Sequence, residues 1–156
     1  MRRNLKVSFL SHRKITGTQC LKNVPKMKDK FIDAKLCSEK SDFHRCHTGC
    51  VAVYKGIVIA KGWNSKKTSP LQAKYNKYRN FDPYVYSSSY HAEMMVVQKI
   101  RLLDIDFSKI HLYIWRGKNV PRVSKPCSAC EKAIRDLGIK YIHYTGNNSF
   151  CDEKFI

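Results

Sequence analysis

The sequence predicts a single α/β domain in which helices cover a β-sheet. Three observations carry this. The 156 residues suit one domain. At 43% apolar, the chain has material for an ordinary core, which excludes wholesale disorder. Strand-sized apolar runs then alternate with helix-like stretches over most of the length, which is the order of a layered α/β fold.

The elements follow in order. Residues 1–25 show no clear periodicity and end at Pro25, so they read as a basic N-terminal extension to a domain of residues 26–156. Lys26–Lys40 is predicted helical, with Met27, Phe31, Ala34 and Cys37 near one face and Ile32 and Leu36 off it. Gly49–Tyr54 and Ile57–Ala60 form a β-hairpin across Lys55-Gly56, and Gly62-Trp63-Asn64 ends the second strand. Ser65–Tyr90 is too long for an ordinary connection, and Pro70–Arg79 is a candidate helix inside it. Ser87-Ser88-Ser89 offers N-cap oxygens to a helix from about Tyr90 to Leu103, whose centre is apolar nearly all round and belongs in the core. Ile110–Trp115 is a short buried strand, and Arg116–Lys125 is a basic loop. Pro126, at the first helical position, opens a helix Cys127–Leu137 that stops at Gly138. Ile139–Tyr144 is a strand, Gly146-Asn147-Asn148 is turn chemistry, and Phe150–Ile156 is a candidate last strand.

Thirty Lys plus Arg against twelve Asp plus Glu give a net charge of +18. Such an excess calls for an anionic partner, whether nucleotides, nucleic acid or an anionic surface. The cations come in blocks: six basic and no acidic residues in Lys61–Asn80, five and none in Lys109–Cys130. No apolar run approaches the roughly 18–20 residues of a membrane-spanning helix, so no membrane insertion is expected. Val7–Leu10 is too short an apolar stretch for a secretory signal. Residues 1–28, with eight basic and no acidic side chains, read as a basic tail, a nucleic-acid-binding arm or an organellar transit peptide. Seven cysteines form an odd set without the spacing of a disulfide framework. They point to a reducing compartment such as the cytoplasm, with thiols free for metal.

Two short motifs at the starts of two helices carry the chemistry. The first is His91-Ala92-Glu93 and the second is Pro126-Cys127-Ser128-Ala129-Cys130. Each alone is weak. Together they supply one imidazole and two thiolates, three zinc ligands that leave a fourth position for water, as in catalytic rather than structural zinc sites. Cys127 and Cys130 are three apart, so they share a helix face. In a first turn the helix dipole favours thiolate. Glu93, two residues beyond His91, should point elsewhere, which suits a carboxylate beside the metal site that moves protons rather than a fourth ligand.

These motifs resemble those of the zinc-dependent cytidine and deoxycytidylate deaminases. Gly49-Cys50-Val51-Ala52-Val53 with Gly62-Trp63-Asn64 is similar to that family's first hairpin, and Leu137-Gly138-Ile139-Lys140-Tyr141-Ile142 to its strand after the second zinc helix. The similarity spans roughly residues 27–150. It implies a three-layer fold, with a mixed central sheet of about five strands and helices on both faces. It also implies one catalytic zinc on His91, Cys127 and Cys130, with Glu93 as the proton shuttle. Asn64 would contact the sugar, and Ala92 would lie against the substrate. The implied reaction is hydrolytic deamination of cytosine in a free nucleotide or nucleoside, giving the uracil product and ammonia. A homo-oligomer is the common state of such relatives.

Substrate choice stays open at this level. Histidine at position 91 resembles the deoxycytidylate, tRNA-adenosine and polynucleotide branches, whereas an antiparallel last strand after Gly146-Asn147-Asn148 resembles the nucleoside branch. Arg116, Lys118, Arg122 and Lys125 precede the second motif and rim the pocket. Arg116 and Lys125 are candidate phosphate contacts, and a phosphate-bearing substrate fits the basic loops. Ser65–Tyr90 interleaves cations with aromatic rings, so it reads as a single-strand groove, a lid over one nucleotide or a packed loop. Deamination of single-stranded DNA or RNA, or of tRNA adenosine, is the nearest rival. A non-catalytic nucleic-acid-binding module with structural zinc is the rival from another class, but it has no use for Glu93. Cys37, His44, Cys46, His47 and Cys50 form a candidate second, structural metal cluster, against which free core cysteines are the simpler reading. His111 and His143 read as packed or hydrogen-bonded strand residues.

Overall fold

The computed structural model describes residues 19–21, 29–79 and 89–156. Expectations for the rest lie outside the described residues, including most of the basic extension, Met27, Phe81, Tyr84, Tyr86, Ser87 and Ser88. The elements are β1 (Gln19–Leu21), α1 (Asp29–Ser38), β2 (Thr48–Tyr54), β3 (Ile57–Trp63), β4 (Ser65–Thr68), α2 (Pro70–Asn76), β5 (Ser89–Tyr90), α3 (Ala92–Ile100), β6 (Ile110–Arg116), α4 (Ser128–Asp136), β7 (Tyr141–Gly146) and β8 (Ser149–Lys154). A 3₁₀ turn, Phe107–Lys109, leads into β6.

The main sheet runs β1-β8-β7-β6-β2-β3. Its last five members are the strands that the sequence predicts, and the three-residue β1 adds an edge beside β8. The sheet is mixed: β6 and β7 are parallel, and every other pair is antiparallel. A parallel pair needs a crossover, and α4 supplies it. The β2–β3 hairpin turns at Lys55 and Gly56, both at positive φ (49° and 81°), as a two-residue turn of the twist-matched kind requires. Asn147 and Asn148 close the β7–β8 hairpin, with Asn148 alone of the two at positive φ (54°). The last strand is therefore antiparallel to its neighbour.

Alternation along the strands builds two cores. Cys50 and Ala52 of β2 and Ile110, Leu112 and Ile114 of β6 face α3 and α4, meeting Met94, Val97, Ile100, Ala133 and Ile134. Val51, Val53 and Trp115 face the other way and pack with Ala34 and Cys37 of α1. This period-two division is what places helices on both faces of one sheet. Helix α1 buries Phe31, Ala34 and Cys37 and leaves Ile32 and Leu36 exposed, as its apolar spacing predicts.

Several boundaries differ from the sequence expectation. Tyr90 pairs with Ser65 in the small β4–β5 sheet, so the chain stays extended there and the helix expected from Tyr90 begins at Ala92. His91, not a serine of the preceding run, stands at its N-cap. Cys127 is likewise the N-cap of α4, which puts Pro126 one residue before the cap rather than at the first helical position. Within Ser65–Tyr90, β4, β5 and α2 account for the described length, and Ser69 caps α2 by accepting from the Gln72 amide at 3.3 Å.

Candidate active site

Two helix starts meet over the sheet. His91 caps α3, Cys127 caps α4, and Cys130 lies in the first turn of α4. His91 Nδ1 stands 3.6 Å from Cys127 Sγ and 3.4 Å from Cys130 Sγ. The three candidate ligand atoms all lie within 4.8 Å of one another. A tetrahedral zinc with ordinary Zn–N and Zn–S bonds separates its nitrogen and sulfur ligands by about 3.6 Å, so the trio fits that ion. Three donors leave a tetrahedral site open on one side.

Side chains outside the motifs brace this geometry. Gln72 of α2 is fully buried, and its Oε1 accepts from the His91 backbone amide at 3.2 Å. Its Nε2 donates to Asn76 Oδ1 at 2.9 Å. From the same helix, the Tyr75 hydroxyl donates to Asp136 of α4 at 3.2 Å. Helix α2 thus ties to both ligand-bearing helices. The loop before Cys127 is sewn between β6 and β7: Ser124 Oγ donates to the Ile114 carbonyl at 2.8 Å and accepts from the Thr145 amide at 2.8 Å. Thr145 Oγ1 donates to the Arg122 carbonyl at 2.6 Å.

Electrostatics favour one thiolate in the sulfur pair, at Cys127. Cys127 is pushed down to about 3, first by a hydrogen bond from Cys130 and then by His91 against the effect of burial. Cys130, which donates that bond and is buried, is pushed up. Burial pulls the His91 imidazole down, but its bond to Cys127 and the Glu93 charge outweigh this, and its pKa is raised. Burial lifts the Glu93 carboxyl above the usual carboxylate range, opposed by His91.

A cleft of about 310 Å³ opens beside the trio. Asn64, Ala92, Arg116 and Lys125 line it together with Glu93, whereas Lys118 and Arg122, also expected at its rim, line a neighbouring hollow instead. Asn64 is buried, and its amide is already engaged. Oδ1 accepts from the Thr48 amide at 2.8 Å, and Nδ2 donates to the Cys46 carbonyl at 2.7 Å. Lys125 pairs with Glu153 at 3.0 Å. The sequence did not single out Thr48, Ser124 or Arg79 as cleft residues. Arg79 Nη2 lies 3.0 Å from His91 Nε2, and only its place in the basic segment before His91 hinted at it.

The Cys37–Cys50 cluster is not gathered. Cys37 lies in the core under α1, Cys50 lies in the core under α3, and Cys46 Sγ meets Thr48 Oγ1 at 3.7 Å. Among the described residues, His91, Cys127 and Cys130 are the one group of three such side chains close enough to share an ion. His111 Nδ1 and His143 Nε2 are 2.8 Å apart, and His143 also bonds Asp152, so both are hydrogen-bonded strand residues.

The model of the cytidine and deoxycytidylate deaminase zinc-binding region matches residues 26–145. The chain belongs to this family. Among solved structures, it is similar to the dCMP deaminase of cyanophage S-TIM5, at 22% identity and a TM-score of 0.52, over 73% of this chain and 77% of that one. It is also similar to the cytidine deaminase of Burkholderia pseudomallei, at 15% identity and a TM-score of 0.56, over 83% of this chain and 93% of that one. A comparison with curated protein sequences finds no match. These likenesses confirm the deaminase fold that the two motifs imply. Within that fold, this deaminase-family chain carries a basic loop between β6 and α4, stitched down by Ser124 and Thr145.

Proposed function

We propose that the protein is a zinc-dependent deaminase that hydrolyses the amino group of cytosine in a free nucleotide. The observation that carries this reading is the His91, Cys127 and Cys130 donor set with the buried Glu93 carboxyl in the same cleft. His91, Cys127 and Cys130 would hold the zinc, which would supply Lewis acidity to a water in the cleft. Glu93, its carboxyl held high by burial, takes a proton from the attacking water, delivers it to ring nitrogen 3, and serves the departing ammonia. Overall, cytosine and water give uracil and ammonia. Asn64, fixed by Thr48 and Cys46, presents its remaining hydrogen and lone pair to the sugar. Ala92 packs along the base. Arg116 and Lys125 favour a phosphate-bearing substrate over a bare nucleoside.

The test is ammonia release across cytosine and adenine nucleosides, their monophosphates and short oligonucleotides. Among these, a cytosine monophosphate should be the best substrate. Glu93→Ala should lower turnover by at least about 10²–10⁴, the ordinary weight of a general acid–base, with zinc content unchanged. An active Glu93→Ala variant overturns the mechanism. Turnover confined to polymers, falling steeply with salt, replaces the mononucleotide by a polynucleotide. Zinc held by four protein ligands with no turnover points to a binding module.

A further inference from the structure

A second hollow, of about 540 Å³, adjoins the cleft and shares Arg116 with it as a wall. Arg45, Lys118 and Arg122, with His44 and His47, complete its charged lining. Two loops build it, one before β2 and one after β6. They are joined at the base by the Gly117 amide donating to the His47 carbonyl at 2.9 Å. The Arg122 amide donates to the Arg116 carbonyl at 2.8 Å, which folds the second loop back and gathers its cations around one space.

With 30 Lys plus Arg against 12 Asp plus Glu, many cations go without a carboxylate, and these four are set apart by lining one space. Lys61, Lys109, Lys125, Lys132 and Arg135 each meet a carboxylate. Among the described residues, Arg45, Arg116, Lys118 and Arg122 do not. His47 adds a second sign of a missing partner. Its Nδ1 donates to the Ser38 carbonyl at 3.3 Å, and its Nε2, buried and without a partner among the described residues, becomes a donor to an anion when the ring is protonated. Unanswered like charges held together repel, and an anion placed among them removes that cost. Among the described residues its lining has imidazoles but no Phe, Tyr or Trp ring, the stacking platform of a single-strand groove.

We propose that this hollow is an anion subsite that receives the outer phosphates of a cytosine nucleoside di- or triphosphate whose base lies in the catalytic cleft. The identity of the base rests on the deaminase reading; the anion subsite does not. A nucleotide reaching past Arg116 places successive phosphates among Lys118, Arg122 and Arg45.

The experiment titrates the full, zinc-loaded chain with inorganic tripolyphosphate by calorimetry, beside an Arg45→Glu/Lys118→Glu double variant. Zinc content and far-ultraviolet circular dichroism are measured before and after. The wild-type chain should bind one equivalent, and the double variant should bind about tenfold more weakly or worse, since two charge-assisted contacts are lost. Cytidine triphosphate should show a lower KM than cytidine monophosphate, and the variant should erase that difference while kcat on the monophosphate holds. Equal tripolyphosphate affinity in both proteins, or no binding to either, overturns the proposal. So does a cytosine-free single-stranded oligonucleotide that outbinds tripolyphosphate and loses its affinity in the same variant, which would assign the hollow to a polymer. If no cytosine nucleotide releases ammonia, the catalytic reading fails while the tripolyphosphate result still judges the hollow.

Discussion

A β-carbon added to Gly62 would stand 2.4 Å from the carbonyl oxygen of Ala92 and 2.9 Å from Val96 Cγ2. The end of β3 and the first turn of α3 therefore touch backbone to backbone, and the turn that touches lies between His91 and Glu93. Gly62→Ala should force α3 outward. Overpacking of this kind costs typically about 1–3 kcal/mol. The expected result is a lower unfolding midpoint and a loss of turnover larger than the folded fraction explains, because the ligand and the carboxylate move together. Thermal unfolding followed by assay at a fully folded temperature separates the two. Unchanged stability and activity would show that α3 yields freely.

Gln72 offers a test of the brace. It holds the His91 amide from a fully buried position, and its removal strands that donor and Asn76 Oδ1. Gln72→Leu keeps the volume and deletes both bonds, at a cost of about 1–3 kcal/mol. Zinc affinity, read by competition with a chelator, should fall as His91 loses its fixed position. Gln72→Glu should recover part of the affinity, since a carboxylate oxygen still accepts from the His91 amide. A variant that is destabilised with undiminished zinc affinity would limit Gln72 to a packing role.

Metal loading should be visible without any substrate. One equivalent of zinc per chain is expected, and free ion at 100 times its Kd should stabilise the fold by about 2.7 kcal/mol. Chelation should reverse the gain, and fresh zinc should restore it. Cys130→Ser should abolish most of the stabilisation. Cys37→Ser, under the opposite face of the sheet, should leave the metal response intact. Two tightly bound equivalents, one of them lost in Cys37→Ser, would revive the second cluster.

The contrast between those two cysteines shows what a sequence displays and what it conceals. Metal ligands three residues apart at a helix start declare themselves, because helix geometry alone puts Cys127 and Cys130 on one face. His91 joins them only through the fold, yet its motif with Glu93 is short enough to read directly. Cys37 and Cys50 belong to a Cys/His-rich stretch of the chain, but α1 and β2 send them to opposite cores. The strands were legible as short apolar runs, β2 being buried from Gly49 to Val53, with Lys55-Gly56 as the turn between two of them. The caps were not. Tyr90 pairs with Ser65 across a sheet of two short strands, a contact with no local pattern, and this delays α3 until His91. Gln72, Ser124 and Thr145 were invisible because each acts through a partner distant in the chain.

Asp42 gives a prediction in pH. Its Oδ1 accepts from the Lys66 amide at 2.8 Å, and its Oδ2 accepts from the Ser65 hydroxyl at 3.0 Å, anchoring the start of β4 to the connection before β2. The Lys66 amide first, with Ser65 assisting against partial desolvation, holds the carboxyl below its ordinary 3.8. A carboxylate depressed in the folded state binds fewer protons there than in the unfolded chain. Its contribution is therefore complete above the unfolded value and disappears as the pH drops through the folded one. Asp42→Asn, which keeps one acceptor and loses the charge, should unfold at a lower temperature than wild type at pH 7. The gap should be constant down to about pH 4 and should close below it. Parallel thermal unfolding of the two proteins between neutral and acid pH reads this directly. A gap that persists unchanged into strong acid would mean that the anchor is the hydrogen-bond geometry and not the charge.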